Sequence, residues 1–183
     1  FKQKTAYEIR LSLVGSEMCI RDRPKNVQDD HSMANSRSRL RMLTLYTFST
    51  HHKMLVAGTG NKVEDFGIGF FTKYGDGGVD LSPIADFMKT EVFALAAELG
   101  VIPDILNAAP VDGLWADNRT DEQQIGASYA ELEVAMKTLG SKAKNKKTSA
   151  REKKVMEIYK HLHNMNAHKM KPIPVCVIPK KLK

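Results

Sequence analysis

Between positions 58 and 78 the chain reads "GTGNKVEDFGIGFFTKYGDGG". Glycines crowd this stretch beside Lys62 and Lys73, an adjacent Glu64-Asp65 pair and two neighbouring phenylalanines. Each glycine costs about 0.5–1 kcal/mol inside a regular helix or strand, so the run does not serve ordinary secondary structure. Bare backbone lets N–H groups approach a phosphate, lysines neutralise it, and a carboxylate can hold the magnesium ion that accompanies it. Nucleotide binding is the chemistry these residue types suggest. Neither the dinucleotide pattern GxGxxG nor the Walker pattern GxxxxGK(S/T) occurs. Taken alone, the stretch fits a glycine-rich surface loop as well as a phosphate site.

The flanking pattern predicts what must position it. "HSMANSRSRLRMLTLYTFSTHH" (31–52) reads as a helix capped by Ser32, with Leu40, Leu43, Tyr46 and Phe48 along one side. "KMLVAGTGN" predicts a short buried parallel strand that opens into a ligand loop. "SPIADFMKTEVFALAAELG" predicts an amphipathic helix with Phe87, Val92, Leu95, Ala96 and Leu99 inward and Gly100 as its stop. A turn-rich connection follows, then a capping box at Thr120 and Gln123. The 137–154 stretch is lysine-rich and reads as a solvated linker. A further helix covers "AREKKVMEIYKHLHNMNAHKM", and "KPIPVCVIPKKLK" is an extended, proline-broken tail. Helix, strand, helix in this order indicates α/β architecture with the site at a strand's C-terminal end.

At 183 residues, 42% of them hydrophobic and 27% charged, the composition is that of one globular domain with a real core. No apolar run approaches the roughly 20 residues of a membrane helix. Cys19 and Cys176 make neither a disulfide framework nor a zinc site, so a reducing cytoplasm is the expected compartment. The opening 23 residues resemble translated sequencing-adapter sequence and are expected to be foreign, leaving 24–183 as the domain. They carry five basic residues against three acidic, so without them the net charge of +7 falls to +5. A basic nucleic-acid-binding protein would use Arg37, Arg39, Arg41 and the 142–154 lysines. Aromatic interleaving and a recognisable module are missing, so neither nucleic acid nor membrane is expected as a partner.

Four longer stretches occur in order: "NSRSRLRM" (35–42), "GTGNKVEDFGIGFFTKYGDGGVDLSPIADFMK" (58–89), "GLWADNRTDEQQIGASYAELE" (113–133) and "HNMNAHKMKPIPV" (163–175). Over about 25–183 the chain resembles the C-terminal part of ammonia-dependent NAD synthetases, with "GFFTKYGDGG" the most specific element. The resemblance implies an adenine-nucleotide α-hydrolase-like fold, a Rossmann-like parallel sheet flanked by helices and incomplete at the N-terminus. It also implies a cytoplasmic homodimer that uses ATP as co-substrate and Mg2+. The implied reaction adenylates the nicotinate carboxylate of deamido-NAD, releasing pyrophosphate, after which ammonia displaces AMP to give NAD.

The resemblance carries roles to individual positions. Arg39, Lys73, Asp80, His168 and Lys169 match contacts to deamido-NAD. Thr59 and Lys89 match contacts to ATP. Glu64 matches the magnesium ligand when counted forward from Gly58-Thr59, and Asp65 when counted back from Gly69-Phe70-Phe71; Glu64 is preferred. Ammonia is a nucleophile when neutral, so no catalytic serine or cysteine is required, and Cys176 has no assigned role. The 109–123 stretch, with Asp112, Gly113, Trp115 and Asp117, reads as a lid over bound nucleotides.

Two departures stand out. The family's Ser-Gly-Gly-x-Asp-Ser phosphate loop does not occur in this chain, which by itself is expected to be inactive. Val111 stands where the family usually has a serine or threonine near ATP. The nearest alternative is another ATP-pyrophosphatase of the same fold acting on a different acceptor.

Overall fold

The computed structural model describes residues 24–115, 117, 119–141 and 148–182. The opening segment and the linker lysines at 142–147 lie outside the described residues. A 3-10 turn, Lys25–Val27, leads into helix α1, Asp30–His52. Asp29 caps α1, accepting from the Ser32 amide at 2.9 Å and its hydroxyl at 2.7 Å. Ser32, expected as the cap, lies inside the first turn instead. A carboxylate is charged where the helix dipole is positive, so it out-competes a hydroxyl for that position.

The buried side of α1 is Met33, Ala34 and Ser38, whereas Leu43 and Phe48 of the expected stripe are exposed. Small residues win here because α1 meets the glycine-rich loop at close range. Gly75 shows how close: a Cβ on it would collide with Ser38 and Thr72.

After α1, Val56 is buried but Met54 and Leu55 are exposed. Ala57 makes a single parallel bridge to Leu81, reinforced by Gly58 N donating to Leu81 O at 2.7 Å and Asp80 N to Val56 O at 2.9 Å. The expected strand is therefore reduced to one bridge, and no sheet forms among the described residues. A strand needs neighbours to propagate its ladder, and residues 56–58 have one short partner. A π-helical segment, Val63–Ile68, then ends at Gly69 with φ +61°. A side chain there would be strained and would also strike Asn166.

Helix α2, Lys89–Glu98, starts later than its hydrophobic pattern suggests, because turns occupy the residues before Met88. None of its residues is buried, and Phe87, Leu95 and Leu99 of the expected inward face are exposed. Its stop at Gly100, φ +73°, is as expected. Helix α3, Pro103–Leu106, follows.

Helix α4, Asp121–Ile125, opens on the expected Thr120–Gln123 capping box but ends after five residues at Gly126, φ +82°. Ser128 and Glu131 form a second box for α5, Tyr129–Gly140, and Ser149 and Glu152 a third for α6, Ala150–Met170. These boxes satisfy amides that a helix start leaves without partners.

Helices α5 and α6 pack on each other and on the π-helical segment. Leu132, Val63 and Ile68 are fully enclosed there, joined by Ile125, Val155 and Tyr159. This core fixes the site from below, since Val63 and Ile68 bracket Glu64. The tail beyond Lys171 exposes Ile173, Val175 and Val177 and ends in a 3-10 turn, Lys180–Leu182.

Candidate functional site

A cavity of about 1010 Å³ opens between the first half of α1, the glycine-rich loop, the segment around 112–124 and the C-terminal end of α6. Arg39, Thr59, Glu64, Lys73, Lys89, His168 and Lys169 all line it. A smaller hollow of about 260 Å³ between α5 and α6 contains none of them.

Two clusters form on the wall. Lys89 Nζ stands 2.9 Å from Glu64 Oε1, and the two side chains keep only 20% and 13% of their exposure. In the second cluster, Lys73 Nζ donates to the His168 carbonyl at 2.8 Å, and Arg39 Nε donates to the Lys73 carbonyl at 3.3 Å. Lys169 Nζ donates to the carbonyls of Gly69 at 3.0 Å and Phe71 at 2.7 Å. Burial holds the Lys169 ammonium below the usual lysine range; Asp76 opposes that shift and Arg39 adds to it.

Asp80 is placed differently. Its carboxylate accepts from the Tyr46 hydroxyl at 3.1 Å and the Val56 amide at 2.8 Å, and it is not part of the cavity wall. Those bonds pin the end of α1 to the bridged segment.

Hard oxygen donors suit magnesium, which keeps several waters and needs only one or two carboxylates. Glu64 fits that requirement, being oxygen-bearing, largely enclosed and on the cavity wall. Asp65 is wedged against Gly60 and does not line the cavity. Burial, with Glu64 and Asp76 adding repulsion, pushes its carboxyl up to about 6. Among the described residues no group of three acidic, histidine or cysteine side chains forms a metal cage.

Several residues that shape the cavity were not singled out from sequence. Ser38 Oγ donates to Asp76 Oδ1 at 2.7 Å, Thr72 N donates to the same oxygen at 2.9 Å, and Thr72 Oγ1 donates to Asn35 Oδ1 at 2.8 Å. These bonds lock the glycine-rich loop onto α1. Asp76 sits inside the quoted "YGDGG" motif, which was the available signal. Asp121 and Tyr129 lie behind the Lys89–Glu64 pair, joined by a 3.1 Å bond from the tyrosine hydroxyl to Asp121 Oδ2. Burial raises the Asp121 carboxyl above its ordinary range, the Tyr129 bond opposing.

The 112–114 backbone is strapped to α1. Arg41 donates to the carbonyls of Asp112 at 2.9 Å and Gly113 at 2.8 Å, and Arg37 donates to that of Leu114 at 2.7 Å. Asp112 in turn accepts from Trp115 Nε1 at 3.1 Å and Gln124 at 3.3 Å. Positions 116 and 118 of the expected lid lie outside the described residues. Val111 is exposed.

This fold is shared with solved synthetases. The NMN synthetase from Francisella tularensis superposes with a TM-score of 0.75 at 30% identity, covering 92% of this chain and 64% of that one. The NH3-dependent NAD synthetase from Campylobacter jejuni gives 0.61 at 22% identity, covering 90% and 63%. The NAD synthase family model matches residues 6–173, which takes in part of the opening segment. The chain belongs to the NAD synthase family. It is 51% identical to the NH(3)-dependent NAD(+) synthetase of Archaeoglobus fulgidus over 106 residues, 58% of this chain and 42% of the relative. Against the Alkaliphilus metalliredigens enzyme of the same name it is 41% identical over 145 residues, 78% and 54% respectively. The chain spans about half the length of the curated relatives it matches. No helix among the described residues is long and apolar enough to cross a membrane.

Proposed function

We propose that this chain supplies one half of the site of an ammonia-dependent NAD synthetase. One observation carries this reading: Arg39, Lys73, His168 and Lys169 line the same cavity as the Lys89–Glu64 pair. Arg39, Lys73 and Lys169 suit deamido-NAD, its phosphates and its nicotinate carboxylate. The pair suits ATP with its metal.

A carboxylate has no leaving group, so a substrate carboxylate oxygen must first attack the α-phosphorus of ATP, expelling pyrophosphate. Ammonia then attacks the acyl carbon, the added nitrogen gives up a proton to water, and AMP leaves with the bonding electrons. Glu64 is the residue that would hold magnesium, which when bound would supply charge neutralisation for the phosphates. Lys89 and Glu64 neutralise each other at 2.9 Å. When ligands enter, Lys89 turns to a phosphate oxygen and frees the Glu64 carboxylate. Lys73 and Arg39 orient the second substrate, and Thr59, exposed after the bridge, offers a hydroxyl to ATP. Preorganised charge of this kind is the main catalytic contribution expected of such a site.

The reading brings with it residues 24–183 as the C-terminal part of the synthetase domain, a parallel sheet of the adenine-nucleotide α-hydrolase type, a cytoplasmic homodimer, and a separate Ser-Gly-Gly-x-Asp-Ser loop. Asp80 is the least supported of the assigned contacts, because its carboxylate is already bonded twice. A second reading has specific support in the 0.75 TM-score to an NMN synthetase, and takes the mononucleotide as acceptor.

The test is a full-length protein carrying residues 24–183, assayed with ATP, magnesium, ammonia and either acceptor. NAD and AMP in equal amounts from deamido-NAD are expected, with the 183-residue chain alone giving none. Turnover preferring nicotinate mononucleotide would select the second reading, and turnover of neither acceptor would overturn both.

A further inference from the structure

Asn35, Ser38 and Arg39 share one face of α1, and each takes hold of the turn from Thr72 to Asp76. Thr72 Oγ1 donates to Asn35 Oδ1 at 2.8 Å, and Arg39 Nε donates to the Lys73 carbonyl at 3.3 Å. The central hold is reciprocal. Ser38 Oγ donates to Asp76 Oδ1 at 2.7 Å and accepts from the Asp76 amide at 3.0 Å. The same Asp76 oxygen accepts from the Thr72 amide at 2.9 Å, and the Thr72 carbonyl accepts from the amides of Gly75 at 2.9 Å and Gly77 at 3.3 Å. One carboxylate oxygen therefore joins both ends of the turn and, through Ser38, keeps them on α1.

Inside this turn Tyr74 stands at φ +62°, a left-handed conformation that is uncommon for a residue with a Cβ. Such strain persists only where surrounding bonds over-determine the backbone, and it gathers at segments that hold ligands. Packing alone does not account for the knot. Ser38 and Thr72 are only 3% and 7% exposed, yet apolar side chains would press a turn against a helix without burying two hydroxyls. Satisfied polar bonds add direction to contact, and so fix a single orientation. The side chain oriented here is Lys73, next to the strained residue, whose ammonium reaches the His168 carbonyl at 2.8 Å.

We propose that Asp76 is a positioning residue for the acceptor substrate: by binding Ser38 and the Thr72 amide on one oxygen it fixes the strained turn on α1, and with it the place of Lys73 beside Arg39 and His168. The inference rests on the proposed function for the ligand itself, an anionic nucleotide met by Lys73. Asp76 acts through that lysine, so its role needs an accepting oxygen and not a negative charge.

Asp76→Ala, Asp76→Asn and Ser38→Ala in the full-length protein test this, with KM for deamido-NAD, KM for ATP, kcat and Tm measured for each. Asparagine keeps an oxygen for Ser38 and Thr72, so Asp76→Asn should stay within about threefold of the parent in both KM values. Asp76→Ala should raise KM for deamido-NAD about tenfold or more, while KM for ATP and kcat stay within about threefold. Ser38→Ala should raise the same KM, and the double alanine variant should lose less than the product of the two single effects. Acetylation of Lys73 by a succinimidyl ester, followed by mass spectrometry, reads the lysine's placement with no substrate present. Its rate should rise about fivefold or more in Asp76→Ala and in Ser38→Ala, and stay within about twofold in Asp76→Asn. Val155→Ala, a core truncation on α6, should lower Tm with Lys73 acetylation and KM for deamido-NAD unchanged. An asparagine variant as impaired as the alanine variant overturns the proposal, because the carboxylate would then act on the ligand itself. Unchanged Lys73 acetylation in both alanine variants overturns it too, as do fully multiplicative effects in the double variant. Absence of NAD formation by the parent overturns the proposed function instead, and the acetylation rates still decide the role of Asp76.

Discussion

Lys89 at the start of α2 and Glu64 of the π-helical segment, 25 positions apart, meet at 2.9 Å. Neither side chain is well solvated, so truncating one partner leaves the other charge poorly compensated. Lys89→Met should cost about 1–3 kcal/mol of stability, below the figure for fully buried pairs because some exposure remains. Adding Glu64→Gln should recover part of it. Urea denaturation of both single variants and the double variant measures this; additive losses would mean that the pair does not couple.

Asp65 gives the protein a pH dependence of definite sign. Burial pushes its carboxyl up to about 6, above the ordinary aspartate range, so the folded state holds the proton more tightly than the unfolded chain. That contribution is fully present below the unfolded value and is lost as pH rises through 6. Asp65→Asn should therefore stabilise the protein at pH 8, by about 1 kcal/mol once solvent screening is allowed for, and flatten the decline between pH 4 and pH 7. Chemical denaturation across that range checks it.

The two arginine straps should govern the 112–114 segment. Arg37→Met with Arg41→Met removes three hydrogen bonds to its carbonyls, each with a charged donor and worth about 1.5–3 kcal/mol. Limited proteolysis should then cut near this segment at least tenfold faster than in the parent, if about 1.4 kcal/mol of local opening energy is lost. Unchanged cleavage would show that the straps do not hold it closed.

Glu131 links α5 to α6 through both oxygens, accepting from Arg151 Nε at 2.7 Å and Nη2 at 2.8 Å. The guanidinium, with the Ser128 amide, holds its carboxyl down to about 2. A lowered pKa contributes stability above the unfolded value and loses it as pH falls through about 2. Arg151→Met should weaken the α5–α6 pair slightly at neutral pH, as befits an exposed pair, and by less at pH 2. A double-mutant cycle at both pH values measures the difference.

What could be read from sequence divides along physical lines. The Thr120–Gln123 capping box and the Gly100 stop are local devices, set within four residues, and they stand where the pattern put them. The family membership was legible because the "GFFTKYGDGG" and "AHKMKP" elements are long and specific. Helix faces were not legible. Leu43, Phe48, Leu95 and Leu99 repeat as a core face should, yet they are exposed, since apolar spacing does not say which neighbour covers a helix. The glycines misled in an instructive way. Gly75 and Gly69 are bare because Ser38 and Asn166 press against them, so part of the bareness read as room for phosphate is room for the protein's own helices. Asp80 illustrates the same limit, its carboxylate being taken up by Tyr46 and Val56, partners that no local pattern announces.

Trp115, the only tryptophan in the sequence, stands on the cavity wall with its indole N–H on Asp112 and the Arg119 guanidinium 4.5 Å from its ring. The chain thereby carries its own optical gauge. Whatever enters the space beside that ring changes the field it feels, so occupancy can be followed by intrinsic emission, with no dye attached and no background from a second indole.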